Sequence, residues 1–289
     1  MERVFLYKNT TIFTLHGDTT MPQATLSIKD AIDWPRVEKA LRQHQRNNGQ
    51  VRCVPTETLQ AVLALCGEQS WSRQNALRLG VTLQSMLTPT IIAPCCPDYG
   101  HDGTVYTFNG INGDASLIAQ MHITFLKHVT ALLPAETVCI LAYADLEAAD
   151  QAICNRVGVD QTTCMERIRA SIEVTRRMVA GFGWRVDAMT NIFPNLERAE
   201  HEAALHIDQP NNQQRLIGDT LARQSLYERI GVCGIDAMRQ RTIKTAAQYL
   251  AFGRLAQRAG MIVCNHSTIN LSWYKAAEVP FLHNNVSMY

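Results

Sequence analysis

Five groups of chemistry-bearing residues stand in this chain directly after short apolar runs. Pro94-Cys95-Cys96-Pro97-Asp98-Tyr99-Gly100-His101-Asp102 follows 90–93, and Tyr143-Ala144-Asp145-Leu146-Glu147-Ala148-Ala149-Asp150 follows 138–142. Asp187, Thr190 and Asn191 come after 184–186, Asn265-His266-Ser267-Thr268-Ile269-Asn270 after 261–264, and His283-Asn284-Asn285 after 279–282. A thiolate at Cys95 or Cys96 would be a nucleophile if a histidine or a helix N-terminus lowered its pKa. A Pro-bounded loop with one buried thiol is the plainer reading, and adjacent cysteines point apart, which argues against a shared metal. Asp98 is the stronger acid/base candidate of that loop. Asp145 and Glu147 stand where a carboxylate caps a helix, neutralises a substrate ammonium or transfers a proton. With Asp150 they also suit Mg²⁺, although hard-cation sites have no fixed spacing.

His266 and His283 each neighbour an amide side chain. One such histidine usually belongs to the structure, but two at neighbouring strand ends point to a site for proton transfer. His122 and His128 fall inside an amphipathic helical pattern and read as structural. Arg241 and Lys244 lie one helical turn apart, with Gln248 on the same side. That face would hold a phosphate or carboxylate, though a solvated helix face is the commoner explanation. The catalytic candidates are thus Asp98, Asp145, His266, Cys95 and Cys96. The substrate-binding candidates are Glu147, Arg241, Lys244, Asn265, Asn270 and His283. The residues assign no cofactor and no metal ligands.

The elements that must position these groups follow from the spacing of apolar residues. Apolar runs at 90–93, 138–142, 184–186, 261–264 and 279–282 alternate with amphipathic segments at 114–133, 161–181, 212–229 and 236–259, which predicts a parallel sheet with crossover helices. Pro280 makes the last strand an edge. In such sheets ligands bind outside the carboxyl ends of the strands. All five polar groups sit at those ends, while the amino ends carry mostly Thr-Pro, Thr and Gly. Before the sheet, short strands are expected at 4–7 and 11–13. Helices follow at 33–45, 56–66 and 70–79, capped by Asp33, Thr56 and Ser70, with stops at Gly67 and Gly80. Trp34 and Trp71 are the packing anchors there. No repeat or linker divides the chain, so residues 1–289 read as a single α/β domain, with 1–85 an N-terminal helical subdomain, a lid or part of the core.

Composition narrows the class. Of 289 residues, 46% are hydrophobic and 18% charged, as in an ordinary globular protein. The 27 basic and 26 acidic residues leave a formal charge of +1, without an electrostatic footprint for nucleic acid or an anionic membrane. No apolar stretch approaches a membrane span, and the first residues lack the pattern of a signal peptide. Nine cysteines without CxxC pairs read as reduced thiols of a cytoplasmic protein. The expected partner is a small-molecule substrate, with a homodimer as an assembly left open. No GxGxxG follows a strand, and GxxxxGK[ST], HExxH and zinc-ribbon patterns are missing, which disfavours simple dinucleotide, nucleotide-phosphate and zinc readings.

From about Ile91 to the C-terminus the order of elements resembles the isocyanide (isonitrile) synthases. The resemblance rests on the loop Pro94–Asp98, the strand and acidic turn Pro134–Asp145, the basic helix at Arg241 and Lys244, the strand with a late histidine (Ile262–His266), and Pro280-Phe281-Leu282-His283 followed by Val286. The chain departs from that family in two places. Cys-Cys-Pro-Asp-Tyr replaces a Lys-Ser-Pro-Asn type loop, and Cys264-Asn265 stands where the family has an Arg-rich strand. The resemblance implies a Rossmann-like α/β fold and a reaction on an amino acid's amine, with a sugar phosphate donating one carbon. Arg241 and Lys244 would then hold the phosphate, and Asp145 or His266 would transfer protons.

Three functions compete on this sequence: a small-molecule transferase or synthase, a metal-dependent hydrolase or lyase built on Asp98, His101, Asp145, Glu147 and His266, and a non-catalytic α/β binding protein. The polar clusters favour the first two.

Overall fold

A computed structural model describes residues 5–7, 27–48, 53–86, 88–95, 99–101, 106–108, 117–148, 154, 158, 160–229, 231–266, 268–284 and 286–288. Its strands are β1 (Phe5–Tyr7), β2 (Thr90–Cys95), β3 (Tyr99–His101), β4 (Tyr106–Phe108), β5 (Val138–Tyr143), β6 (Arg185–Ala188), β7 (Ile262–Asn265), β8 (Phe281–His283) and β9 (Val286–Met288). Five of them form one parallel sheet in the order β6-β5-β2-β7-β8. Counted along the chain, the third, second, first, fourth and fifth sheet strands lie side by side. The chain therefore winds outward from β2 to β6, then returns to the middle and winds the other way. This is a Rossmann-like α/β fold, and its strand order reverses between β2 and β7.

The sheet is covered on both faces, which is why its strands read as nearly unbroken apolar runs. Residues alternate between two cores with period two. Ile91, Ala93, Cys95, Cys139, Leu141, Tyr143, Ile262 and Cys264 enter the first. Ile92, Ile140, Ala142 and Val263 enter the second. The first core is closed by helices Trp34–Asn48, Thr56–Ala64, Arg73–Ser85, Leu117–Leu132 and Gln161–Val179, and the second by Leu196–Ile207, Ile235–Arg258 and Thr268–Ala276. The crossover from β2 to β5 runs through helix Leu117–Leu132, and that from β5 to β6 through Gln161–Val179. Gly260, at φ 73°, ends the long helix Ile235–Arg258 ahead of β7, the left-handed stop that glycine supplies most readily.

Helix boundaries depart from expectation where glycine and serine serve packing. Gly80 does not stop its helix; it lies inside Arg73–Ser85, where a Cβ would come within 2.7 Å of the Leu41 side chain. Its bare backbone lets two helices touch. Ser72, not Ser70, caps that helix by accepting from Asn75 N at 3.1 Å. Pro55 occupies the cap position expected of Thr56. Asp33 does accept from Arg36 N, at 3.3 Å, and both tryptophans anchor, Trp34 by donating to Ile28 O and Trp71 to Leu63 O. Helix Leu196–Ile207 was not expected. The buried apolar side chains described between Ile28 and Leu83 enter the same first core as the sheet. The expected strand at 11–13 lies outside the described residues. Among the described residues no helix is long and apolar enough to cross a membrane.

Candidate active site

The carboxyl ends of β7 and β8 converge with helix Leu117–Leu132 beside the strand-order reversal. Three histidines meet there. His266 follows β7, His283 ends β8, and His122 reaches in from the helix that covers the first core. The rings of His122 and His266 meet edge to face, 5.5 Å between centroids. His283 Nδ1 lies 3.2 Å from the Asn265 carbonyl oxygen, which can only accept, so Nδ1 carries the proton and Nε2 keeps a lone pair. Around His122 the pattern is the reverse. Its Nδ1 lies 3.4 Å from Cys264 Sγ and 3.3 Å from Asn284 Nδ2, an amide nitrogen that can only donate, so Nδ1 accepts and Nε2 holds the hydrogen.

Burial controls the charge of all three. It pushes His266 down from 6.5 to about 4, with the neighbouring His283 adding to the effect. His122 is held well below its ordinary value by burial first and by His266 second. His283 is lowered by burial and by Lys275, against the Asn265 carbonyl. At neutral pH these are uncharged imidazoles. Two buried ring nitrogens, His122 Nε2 and His266 Nδ1, make no hydrogen bond. Such atoms cost about 1–3 kcal/mol each when left unsatisfied, and in a native structure they point to something that pairs with them. A neutral imidazole can donate to a ligand, take its proton or coordinate a metal. Among the described residues, however, no three His, Cys, Asp or Glu side chains are placed to hold a metal ion.

The N-terminal helices fix one wall of this site. Gly67 N donates to His283 O at 3.0 Å, and the Ser70 hydroxyl accepts from His283 N at 2.8 Å. Asn75 donates to Phe281 O at 2.9 Å and accepts from Phe281 N at 3.2 Å, so its side-chain amide continues the sheet edge like a short strand. A Cβ on Gly67 would stand 2.4 Å from His283 Cδ2, so only glycine fits beside that ring.

The remaining candidates are distributed differently. Asp145 is buried at the carboxyl end of β5, where it accepts from Thr190 N at 3.3 Å and from the Thr190 hydroxyl. That contact ties the end of β5 to helix Met189–Ile192 after β6. Asp187, at the end of β6, accepts from Asn191 Nδ2 at 2.8 Å and from Ala188 N at 2.9 Å. Cys95 ends β2 with its thiol turned into the first core and no exposed surface. Asn265 is buried at the end of β7, inside the histidine cluster. Arg241 and Lys244 ride on helix Ile235–Arg258, across the second face, whereas His122 belongs to the first; Lys244 is exposed and Arg241 half-buried. Cys96, Asp98 and Asp150 lie outside the described residues, as do the side chains of His101, Glu147 and Asn270.

His122 is the cluster member that sequence reasoning read as structural, and Asn284 stood in the last polar group without an assigned role. His122 sits at a core-facing helical position, and no local pattern separates a packed histidine from one that lines a site. A depression of about 510 Å³ on the outer side of helix Trp34–Asn48, lined by Pro35, Lys39, Arg42 and Arg46 among others, involves no strand end. Comparison with protein-family models, curated proteins and solved structures finds no match to this chain.

Proposed function

We propose that this chain is a biosynthetic transferase or synthase acting on a small molecule at the carboxyl ends of β2, β7 and β8. In this reading uncharged imidazoles pair with the substrate and move a proton to or from it. The observation that carries it is the pair of buried, unpartnered ring nitrogens, His122 Nε2 and His266 Nδ1, at the place where the strand order reverses. His283, with Nδ1–H fixed on a carbonyl and a lone pair on Nε2, has the arrangement of a general base. The substrate class is an amino-acid-like or phosphorylated metabolite. That part rests on the resemblance to isocyanide synthases, which implies a reaction on an amino acid's amine with a sugar phosphate donating one carbon.

A metal-dependent hydrolase or lyase is the second reading. It draws on the neutral state of the three histidines, since metals bind the neutral ring, and it needs ligands from outside the described residues, among which no three are placed to hold an ion. Thermal-shift titration of the purified protein separates the two readings. Amino acids, sugar phosphates and divalent metals are screened with and without EDTA, on the wild type and on His266→Gln. A ligand at a hundredfold excess over its Kd adds about 2.7 kcal/mol of stability. A shift with an organic ligand, insensitive to EDTA and lost in His266→Gln, supports the synthase. A shift with metal alone, abolished by EDTA and by the substitution, supports the hydrolase or lyase. Shifts with organic ligands that survive His266→Gln would place the site elsewhere.

A further inference from the structure

The connection from β5 to β6 contains a contact that the candidate active site does not use. Cys154 lies between the end of β5 and helix Gln161–Val179, and Cys164 is in the first turn of that helix. Their sulfurs are 3.1 Å apart, about 1 Å beyond the ~2.05 Å of a disulfide bond. Neither residue has exposed surface. The helix start that carries Cys164 is itself fixed, because Asp160 caps it by accepting from Thr163 N at 2.7 Å. Two other buried thiols are engaged differently: Cys66 donates to the Val62 carbonyl and Cys264 meets His122.

We propose that Cys154 and Cys164 are a disulfide-forming pair whose oxidation fastens the crossover between β5 and β6. The inference rests on this contact and is independent of the reaction proposed above. The chemistry balances with a low-molecular-weight disulfide as oxidant. One cysteine thiolate attacks it and releases one reduced thiol. The other cysteine then displaces the second half from the mixed disulfide. Two S–H bonds are lost, one S–S bond forms between the cysteines, and the oxidant's S–S bond becomes two thiols. Burial, helped by the Cys154 sulfur, pushes the Cys164 thiol up to about 12, so thiolate is scarce at neutral pH.

The test uses the full chain carrying Cys53→Ser and Cys233→Ser, which remove two exposed thiols. Folded protein, and the same protein unfolded in guanidinium, are brought to equilibrium in glutathione redox buffers from both the reduced and the oxidised side. Alkylation and trypsin digestion follow. Cleavage after Arg156 places the two sulfurs on separate peptides, 128–156 and 157–167. A disulfide joining those peptides is expected, with an equilibrium constant at least tenfold larger in the folded chain and no such product in Cys154→Ser. An equal or smaller constant in the folded chain overturns the proposal. So does a linked product that persists in Cys154→Ser, which would run through Cys139 on the same peptide.

Discussion

Replacing His266 by glutamine should flatten the acid side of the stability profile, and the size of the effect follows from burial of the ring. In the unfolded chain His266 titrates near 6.5; in the fold burial holds it at about 4. Between those values the unfolded state binds more protons than the folded one, so stability rises with pH and falls as pH drops. The His266 contribution is intact above 6.5, declines through the window from 6.5 to about 4, and is fully lost below it. Each pH unit of difference corresponds to about 1.4 kcal/mol, so the complete loss is about 3 kcal/mol. Going from pH 7.5 to 5.0 removes about 2 kcal/mol of it. Urea unfolding of wild type and His266→Gln at both pH values reads this share together with any change His266 imposes on the titration of His122 and His283. The wild type should lose about 2 kcal/mol more than the variant over this interval. Equal losses in the two proteins would refute the reasoning, since they would mean that the ring titrates normally and is open to water.

Three further outcomes are expected. Gly67→Ala should displace the His283 ring, because the new Cβ would lie 2.4 Å from Cδ2; the cost is about 1–3 kcal/mol by chemical denaturation, with a moved His283 ring resonance in NMR spectra. Thr190→Val leaves the buried Asp145 carboxylate without its hydroxyl donor and should cost about 1–3 kcal/mol, again read by denaturation. Linking Cys154 to Cys164 closes a loop of about ten residues, which should stabilise the oxidised protein by about 2.7 kcal/mol over the reduced one in paired thermal melts.

Much of the fold was legible because its signals are local and repeated. Continuous apolar runs at 90–93, 138–142 and 261–264 need no knowledge of their neighbours to read as strands buried on both faces. The crossover helices show their period through residues such as Leu117, Ile118, Met121 and Phe125. Glycine was read less well. Gly80 resembles a helix stop, but its role is set by Leu41, which the chain brings alongside from far upstream. Helix Leu196–Ile207 was missed because its buried positions, Leu196, Ala203 and Ile207, are few and include a small residue, so its apolar stripe is thin.

The sequence by itself determined the alternation of strands and helices, the carboxyl-end location of the polar groups, and the candidacy of His266 and His283. Those features depend on composition and on spacing along the chain. Only the tertiary structure decided which of the groups meet. Strand order is set by how helices pack on two faces of a sheet, and it placed β7 and then β8 on one side of β2, with β5 and then β6 on the other. As a result His122, read as a core residue, joined the histidine cluster, while Asp145 was joined to Thr190. The same folding made the three rings neutral, because desolvation depends on what surrounds a side chain in space.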